Sequence, residues 1–259
     1  DTPSTLLANI VDAKEKFGYY FSDRATKCFN KGAQFYLQTA FLNHLKKSNS
    51  LSYQELIFKA CDLSDFYSNY RPVFNLSNKN LGFASVFFKK FGLDSDKKVV
   101  GVNIGSSKRW ASKFWSEERV VELVEKLYVK GFELIVLAGP NEVDKQKNVL
   151  DELSKKGVKV AFNNPFNSLG EFAGVVNLCD IVVCGDSLVL HLASALKKRV
   201  VALFFSTPPW EIEDYEGIEK ITSPLLDKYL FINDYNEGLS RSISVKEVLN
   251  KVDLIHQNL

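Results

Sequence analysis

Residues 98–115, KVVGVNIGSSKRWASKFW, bring together the residue types that hold a phosphate. An apolar run, Val99 to Ile104, delivers the chain to the small turn Gly105-Ser106-Ser107. Glycine there allows positive φ and close backbone approach, the serines offer hydroxyl and amide donors, and Lys108, Arg109 and Lys113 supply charge. A matching element follows downstream, where Ile181 to Cys184 runs into Gly185-Asp186-Ser187 and then into LVLHLASALKK, spaced as a helix with a basic end. Two such strand-to-helix turns predict one nucleotide-shaped site. At a third strand end, Gly139-Pro140-Asn141-Glu142, an acid is placed to accept hydrogen bonds from a ribose hydroxyl pair or a base. Each motif also has a plainer reading. Lys108, Arg109 and Lys113 fit a solvated loop, Asp186 fits the N-cap of the next helix, His191 fits a residue that caps or packs at a helix start, and Glu142 fits a first-turn acid stabilised by the helix dipole.

The elements that must position these residues alternate from residue 98 onward. Strands are expected at 98–104, 133–138, 158–162, 181–184 and 200–205, with helices at 117–130, 142–155, 168–177 and 189–197 between them. That order predicts a doubly wound parallel sheet of Rossmann type, which binds ligands at the C-terminal ends of its strands, where every motif above falls. The segment FSTPPW at 205–210 is expected to wall the cleft, followed by a strand at 229–232 and a last helix at 245–255. The first part is less regular. It contains a helical start at 4–16, an aromatic strand at 17–22, helices at 33–46 and 52–63, an extended stretch at 71–80 and an amphipathic helix at 81–93. The polar segment 94–97 divides the chain into a partial N-terminal α/β domain with its linker, 1–95, and a C-terminal domain, 96–259, with helix 245–255 expected to pack back on the first.

The strings GSSKRWASKFW, VLAGPNE (136–142) and SLGEFAGVVNLCDIVVCGDSLVLHLASALKKRVVALF (168–204) resemble glycosyltransferase family nine, the lipopolysaccharide heptosyltransferases and their relatives, over roughly the last two-thirds of the chain. The resemblance implies a GT-B architecture and inverting, metal-independent transfer of a sugar, heptose in the family, from an ADP-sugar to a lipopolysaccharide-core or other surface-glycan acceptor. It assigns Lys113 to the lysine of a lysine-x-tryptophan signature completed by Trp115, where it stabilises the leaving diphosphate. It further implies that Ser106 and Ser107 meet the donor phosphates, that Gly139 and Glu142 take the nucleoside, that Ser168 and Leu169 flank the adenine, and that Asp186, Ser187 and His191 surround sugar and diphosphate. Leu188 departs from the pattern, standing where many relatives have glycine, and is expected to narrow the phosphate pocket. The family takes its general base from a glycine-rich first loop. No such loop is present, so the front of the first domain is expected to be missing; Asp1, Asp12 and Asp23 carry no signal that singles one out as the base. A non-catalytic nucleotide-sugar-binding domain and a sugar-nucleotide epimerase of GT-B shape share the same architecture.

Composition narrows the classes. The 259 residues carry 33 basic and 31 acidic side chains, a net +2, which implies no nucleic-acid partner. The chain begins at Asp1 and contains no methionine. Cys28, Cys61, Cys179 and Cys184 are scattered without metal-ligand spacing and are expected as reduced thiols, and no apolar run approaches the ~20 residues that span a bilayer. A cytoplasmic protein, touching the inner membrane at most peripherally, is expected. No GxGxxG follows a predicted strand, which disfavours a dinucleotide dehydrogenase, and no DxD pair or histidine cluster favours metal catalysis. The resemblance above, not the composition, implies the expected partners: a nucleotide-sugar donor, as substrate rather than cofactor, and a glycan or glycolipid acceptor.

Overall fold

The computed structural model describes residues 2–65, 71–106 and 108–259. The chain forms two compact units, one of Asp1–Arg71 with Trp210–Asp214 and one of Pro72–Pro209 with Tyr215–Leu259.

The first unit is built from helix α1 (Thr2–Ile10), the antiparallel hairpin of β1 (Tyr19–Ser22) and β2 (Ala25–Cys28), and helices α2 (Lys31–Phe41), α3 (Asn43–Ser48) and α4 (Tyr53–Ala60). Asp23 and Arg24 make the two-residue turn, both at positive φ, the conformation a tight hairpin demands. The continuous helix expected over 33–46 breaks at Leu42, whose extended backbone separates α2 from α3. Helix α4 starts where Ser52 accepts the Glu55 N–H, and it buries Leu56 and Ala60. Trp210 is anchored to this unit by its indole N–H, which donates to the Asn49 carbonyl at 2.8 Å, and Ser52 Oγ donates to Glu213.

The second unit opens with helix α5 (Asn78–Phe91) and continues β3 (Val99–Asn103), α6 (Glu117–Val129), β4 (Glu133–Leu137), α7 (Val143–Lys155), β5 (Ala161–Phe162), α8 (Leu169–Asn177), β6 (Ile181–Gly185), α9 (Leu188–Ala195), β7 (Arg199–Phe204) and β8 (Ile218–Thr222). Short helices α10 (Leu226–Tyr229) and α11 (Glu237–Ser240) precede the last helix, α12 (Val245–Gln257). The sheet order is β5-β4-β3-β6-β7-β8 and every pairing is parallel, so the direction of winding reverses between β3 and β6. A crevice must open there, because the connections from β3 and β6 leave toward opposite faces of the sheet. The strands are valine- and isoleucine-rich runs buried on both faces. On one face Leu123, Val124 and Leu127 of α6, Val149 and Leu153 of α7, and Val248 and Val252 of α12 close the core; on the other, Val175 and Val176 of α8 and Leu190 and Ala193 of α9 are buried. Cys179 and Cys184 are fully buried free thiols, and burial pushes the Cys179 thiol up to about 12. No described helix is long and apolar enough to cross a membrane.

Several expectations are corrected here. The compact units divide at Arg71/Pro72, before the polar 94–97 segment, because α5 packs on α8: a Cβ on Gly170 or Gly174 would lie 2.5 Å or 2.7 Å from Asn80, so these two glycines let α5 approach closely. Helix α5 begins at Asn78 rather than 81, since Ser77 and Asn80 form a reciprocal cap. The last helix packs on α6, β7 and β8 of its own unit. The strand expected at 229–232 does not form. Tyr229 ends α10, Phe231 takes a left-handed φ of 63°, and its N–H goes to the Ser206 carbonyl at 2.7 Å. The last strand is β8, whose IEKIT sequence is only partly buried at the sheet edge and carries an edge strand's charges. In the first unit the described strands make a hairpin, with no parallel sheet among the described residues.

Candidate active site

The switch point between β3 and β6 opens into a cavity of about 430 Å³. Gly105 and Ser106 after β3, Gly139, Asn141 and Glu142 after β4, and Asp186, Ser187 and Leu188 after β6 meet around it, with Lys113 between them. The turns after β3 and β6, separated by 80 positions from Gly105 to Gly185, are thus brought together as expected.

At one end of the cavity stands a charge pair. Lys113 Nζ lies 2.6 Å from Asp186 Oδ2, both side chains largely buried, and 4.9 Å from the centroid of the Trp110 ring. The same carboxylate oxygen accepts the Thr207 hydroxyl at 2.8 Å. Asp186 is therefore not the N-cap side chain of α9. That position is Ser187, whose side chain makes no cap hydrogen bond; its Oγ accepts a long bond of 3.4 Å from Asn103 Nδ2. Helix α9 points an N-terminus without a side-chain cap into the cavity, beside a lysine, a combination that attracts anions. Gly185 packs closely, since a Cβ there would sit 3.2 Å from the Lys113 carbonyl oxygen.

At the other end lies a buried acid. Glu142 is 5% exposed, and its Oε2 accepts the Gly139 N–H at 3.0 Å. Gly105 is where it is for this acid's sake: a Cβ at 105 would stand 2.6 Å from the Glu142 carboxyl group, and φ at Gly105 lies outside the left-handed region expected of it. Close approach, not a left-handed turn, is what glycine supplies. Beneath the same strand ends, Asn163 bonds both the N–H and the carbonyl of Ala138 at 2.8 Å and 2.9 Å, and Gln146 Nε2 donates to the Asn163 carbonyl at 3.0 Å, which fixes the loop carrying Glu142. Lys145, in the first turn of α7, donates to the Trp115 carbonyl at 3.1 Å and covers the Phe114 ring at 4.8 Å; burial pulls its ammonium down to about 8 against the opposing pull of Glu117 and Glu142.

The remaining expected residues divide. His191, exposed on α9, and Leu188, 60% exposed, both line the cavity at its rim. Ser106 lines it too, but its hydroxyl is committed to the Trp110 carbonyl at 3.0 Å. Ser107 lies outside the described residues, and the Lys108 side chain is likewise not described. Arg109 is exposed and does not line the cavity. Trp115 stands apart from the ligand space: it is 6% exposed, belongs to the core, and donates its indole N–H to the Ile243 carbonyl at 3.1 Å. Ser168 and Leu169 do not line the cavity either. Ser168 forms a capping box with Glu171, and Phe172, one turn further along α8, faces the cavity instead. The 205–210 segment lines none of it; Phe205 is core and Thr207 supports Asp186 from outside. Asn103, Trp110, Asn141, Phe172 and Val189 complete the lining. Of these, Asn141 falls in the turn after the second strand that the sequence marks, and Asn103 is a polar residue ending an apolar strand; the other three carry no such signal.

A parallel sheet of order β5-β4-β3-β6-β7-β8, winding both ways from β3 and β6, places the second unit in the doubly wound, Rossmann-like class of fold, which takes its ligands in the crevice at the switch point. Within that class the assignment is specific. The chain matches glycosyltransferase family 9 (heptosyltransferase) over residues 3–227 and belongs to that family. Lipooligosaccharide heptosyltransferase 2 of Campylobacter jejuni serotype O:2 is 24% identical over 144 residues, which cover 52% of this chain and 43% of that protein. Among solved structures, a glycosyl transferase of family 9 from Veillonella parvula superposes with a TM-score of 0.68 at 18% identity, covering 82% of this chain and 62% of that one. The E. coli ADP-heptose lps heptosyltransferase II gives a TM-score of 0.59 at 20% identity, covering 73% and 55%. The fold is that of the GT-B glycosyltransferases of this family, and the chain spans less than two thirds of these relatives' lengths.

Proposed function

We propose that the second unit binds an ADP-sugar, ADP-heptose being the donor named for the E. coli relative, and that the chain is the donor-binding portion of an inverting, metal-independent glycosyltransferase acting on a lipopolysaccharide-core or other surface-glycan acceptor. One observation carries the reading: Lys113, Asp186 and the start of α9 meet across the switch point from Glu142 in a single cavity. The diphosphate lies at the Lys113 end and the ribose hydroxyls reach Glu142. In transfer, an acceptor hydroxyl oxygen attacks the anomeric carbon, the carbon–oxygen bond to the diphosphate breaks, and the electron pair leaves with the nucleoside diphosphate. Negative charge grows on that leaving group, so Lys113 and the N–H groups of α9 stabilise the transition state more than the bound donor. The acceptor proton passes to a base on the opposite face. Lysine and helix dipole do the work that a divalent cation does elsewhere. The proposal puts the reaction in the cytoplasm, on a glycan or glycolipid acceptor, with any membrane contact peripheral.

Calorimetric titration with ADP in excess EDTA tests this reading. Binding is expected with the same affinity as in the absence of chelator. Absence of ADP binding, or a strict requirement for magnesium, contradicts it.

A further inference from the structure

We propose that Thr207, which lines none of the cavity, is a positioning residue that allows Lys113 to pass from Asp186 to the donor diphosphate; this rests on the donor-site reading above. Thr207 follows β7, is 4% exposed, and donates its hydroxyl to the very oxygen of Asp186 that accepts Lys113 Nζ. It has little freedom to do otherwise. The preceding Ser206 is fully buried, bonded through Oγ to Ser112 Oγ at 2.7 Å and through its carbonyl to the Phe231 N–H at 2.7 Å. After it come Pro208 and Pro209, whose rings fix φ.

The chemistry follows from the shared oxygen. A diphosphate can recruit Lys113 only by competing with Asp186, and a largely buried carboxylate oxygen that loses its charged donor without another is strongly penalised. Thr207 supplies that second donor. Being neutral, it neither competes for the phosphate nor adds charge, and it keeps the carboxylate aimed while the ammonium turns to the ligand. Without the hydroxyl, Asp186 holds Lys113 more tightly, and the anion meets a less available cation.

The test compares ADP with AMP, which lacks the terminal phosphate that this reading places beside Lys113. In Thr207→Val, nearly the same shape without the donor, ADP affinity is expected to fall about tenfold while AMP affinity changes little, so the preference for ADP collapses. Thr207→Ser restores it. Equal losses for both nucleotides, as a merely structural role produces, or an unchanged ADP preference in a wild-type background that binds ADP and loses it with Lys113→Ala, overturns the assignment of Thr207 and leaves the donor site standing. No ADP binding by the wild type overturns both. Should the valine variant not fold, Thr207→Ser and Thr207→Ala decide: a preference retained in serine and lost in alanine supports the role, and identical behaviour of the two overturns it.

Discussion

Lys113→Ala is expected to weaken ADP binding by about 10- to 100-fold, the ~1.4–2.8 kcal/mol of one charge-assisted hydrogen bond in a largely buried place. The loss has two parts. The phosphate loses its fixed cation, and Asp186 is left with the Thr207 hydroxyl alone, a carboxylate facing an incoming anion. Arg109→Ala is the internal control. Arg109 belongs to the same run of cations in the sequence but is exposed outside the cavity, so its removal is expected to change affinity by no more than about twofold. Isothermal titration of both variants checks the pair of outcomes. Equal effects at 109 and 113 would mean that the loop acts through bulk charge rather than through one placed ammonium.

The second large effect concerns stability. Trp115→Ala is expected to cost about 3–5 kcal/mol, because the indole is nearly fully buried among β3, α6 and α12 residues and the truncation leaves both a cavity and the Ile243 carbonyl without its donor. For a protein of this size that is a fall in melting temperature of about 6–20 °C. Calorimetric melting reads it directly. A variant that melts like the wild type but binds ADP poorly would return Trp115 to the ligand, as the signature alone suggests.

These two residues show what was legible in the sequence. The turns after β3 and β6 could be read because parallel strands buried on both faces appear as unbroken apolar runs, and the small polar residues that end them stand out. That Lys113 and Trp115 serve different compartments could not be read: they are two apart, and only the fold sends one to the cavity and the other to Ile243. Leu169 and Phe172 present the same problem one helical turn apart. The strand β8 left no period-two signal, because an edge strand with Glu219 and Lys220 at its centre reads as a loop. Thr207 is silent for a different reason, since its partner lies 21 positions away and nothing local announces the contact. Gly105 reads from the sequence as a residue of positive φ or close approach; which of the two it is, and that the object approached is the Glu142 carboxylate, is visible only once β3 and β4 pair.

A structure of the protein with ADP bound tests the central claim most directly. The account predicts the diphosphate at the junction of the β3 and β6 turns, within hydrogen-bond reach of Lys113 Nζ and the first N–H groups of α9, with the ribose hydroxyls at Glu142. A diphosphate seated elsewhere, or Lys113 still held by Asp186 with no phosphate oxygen against it, would contradict it.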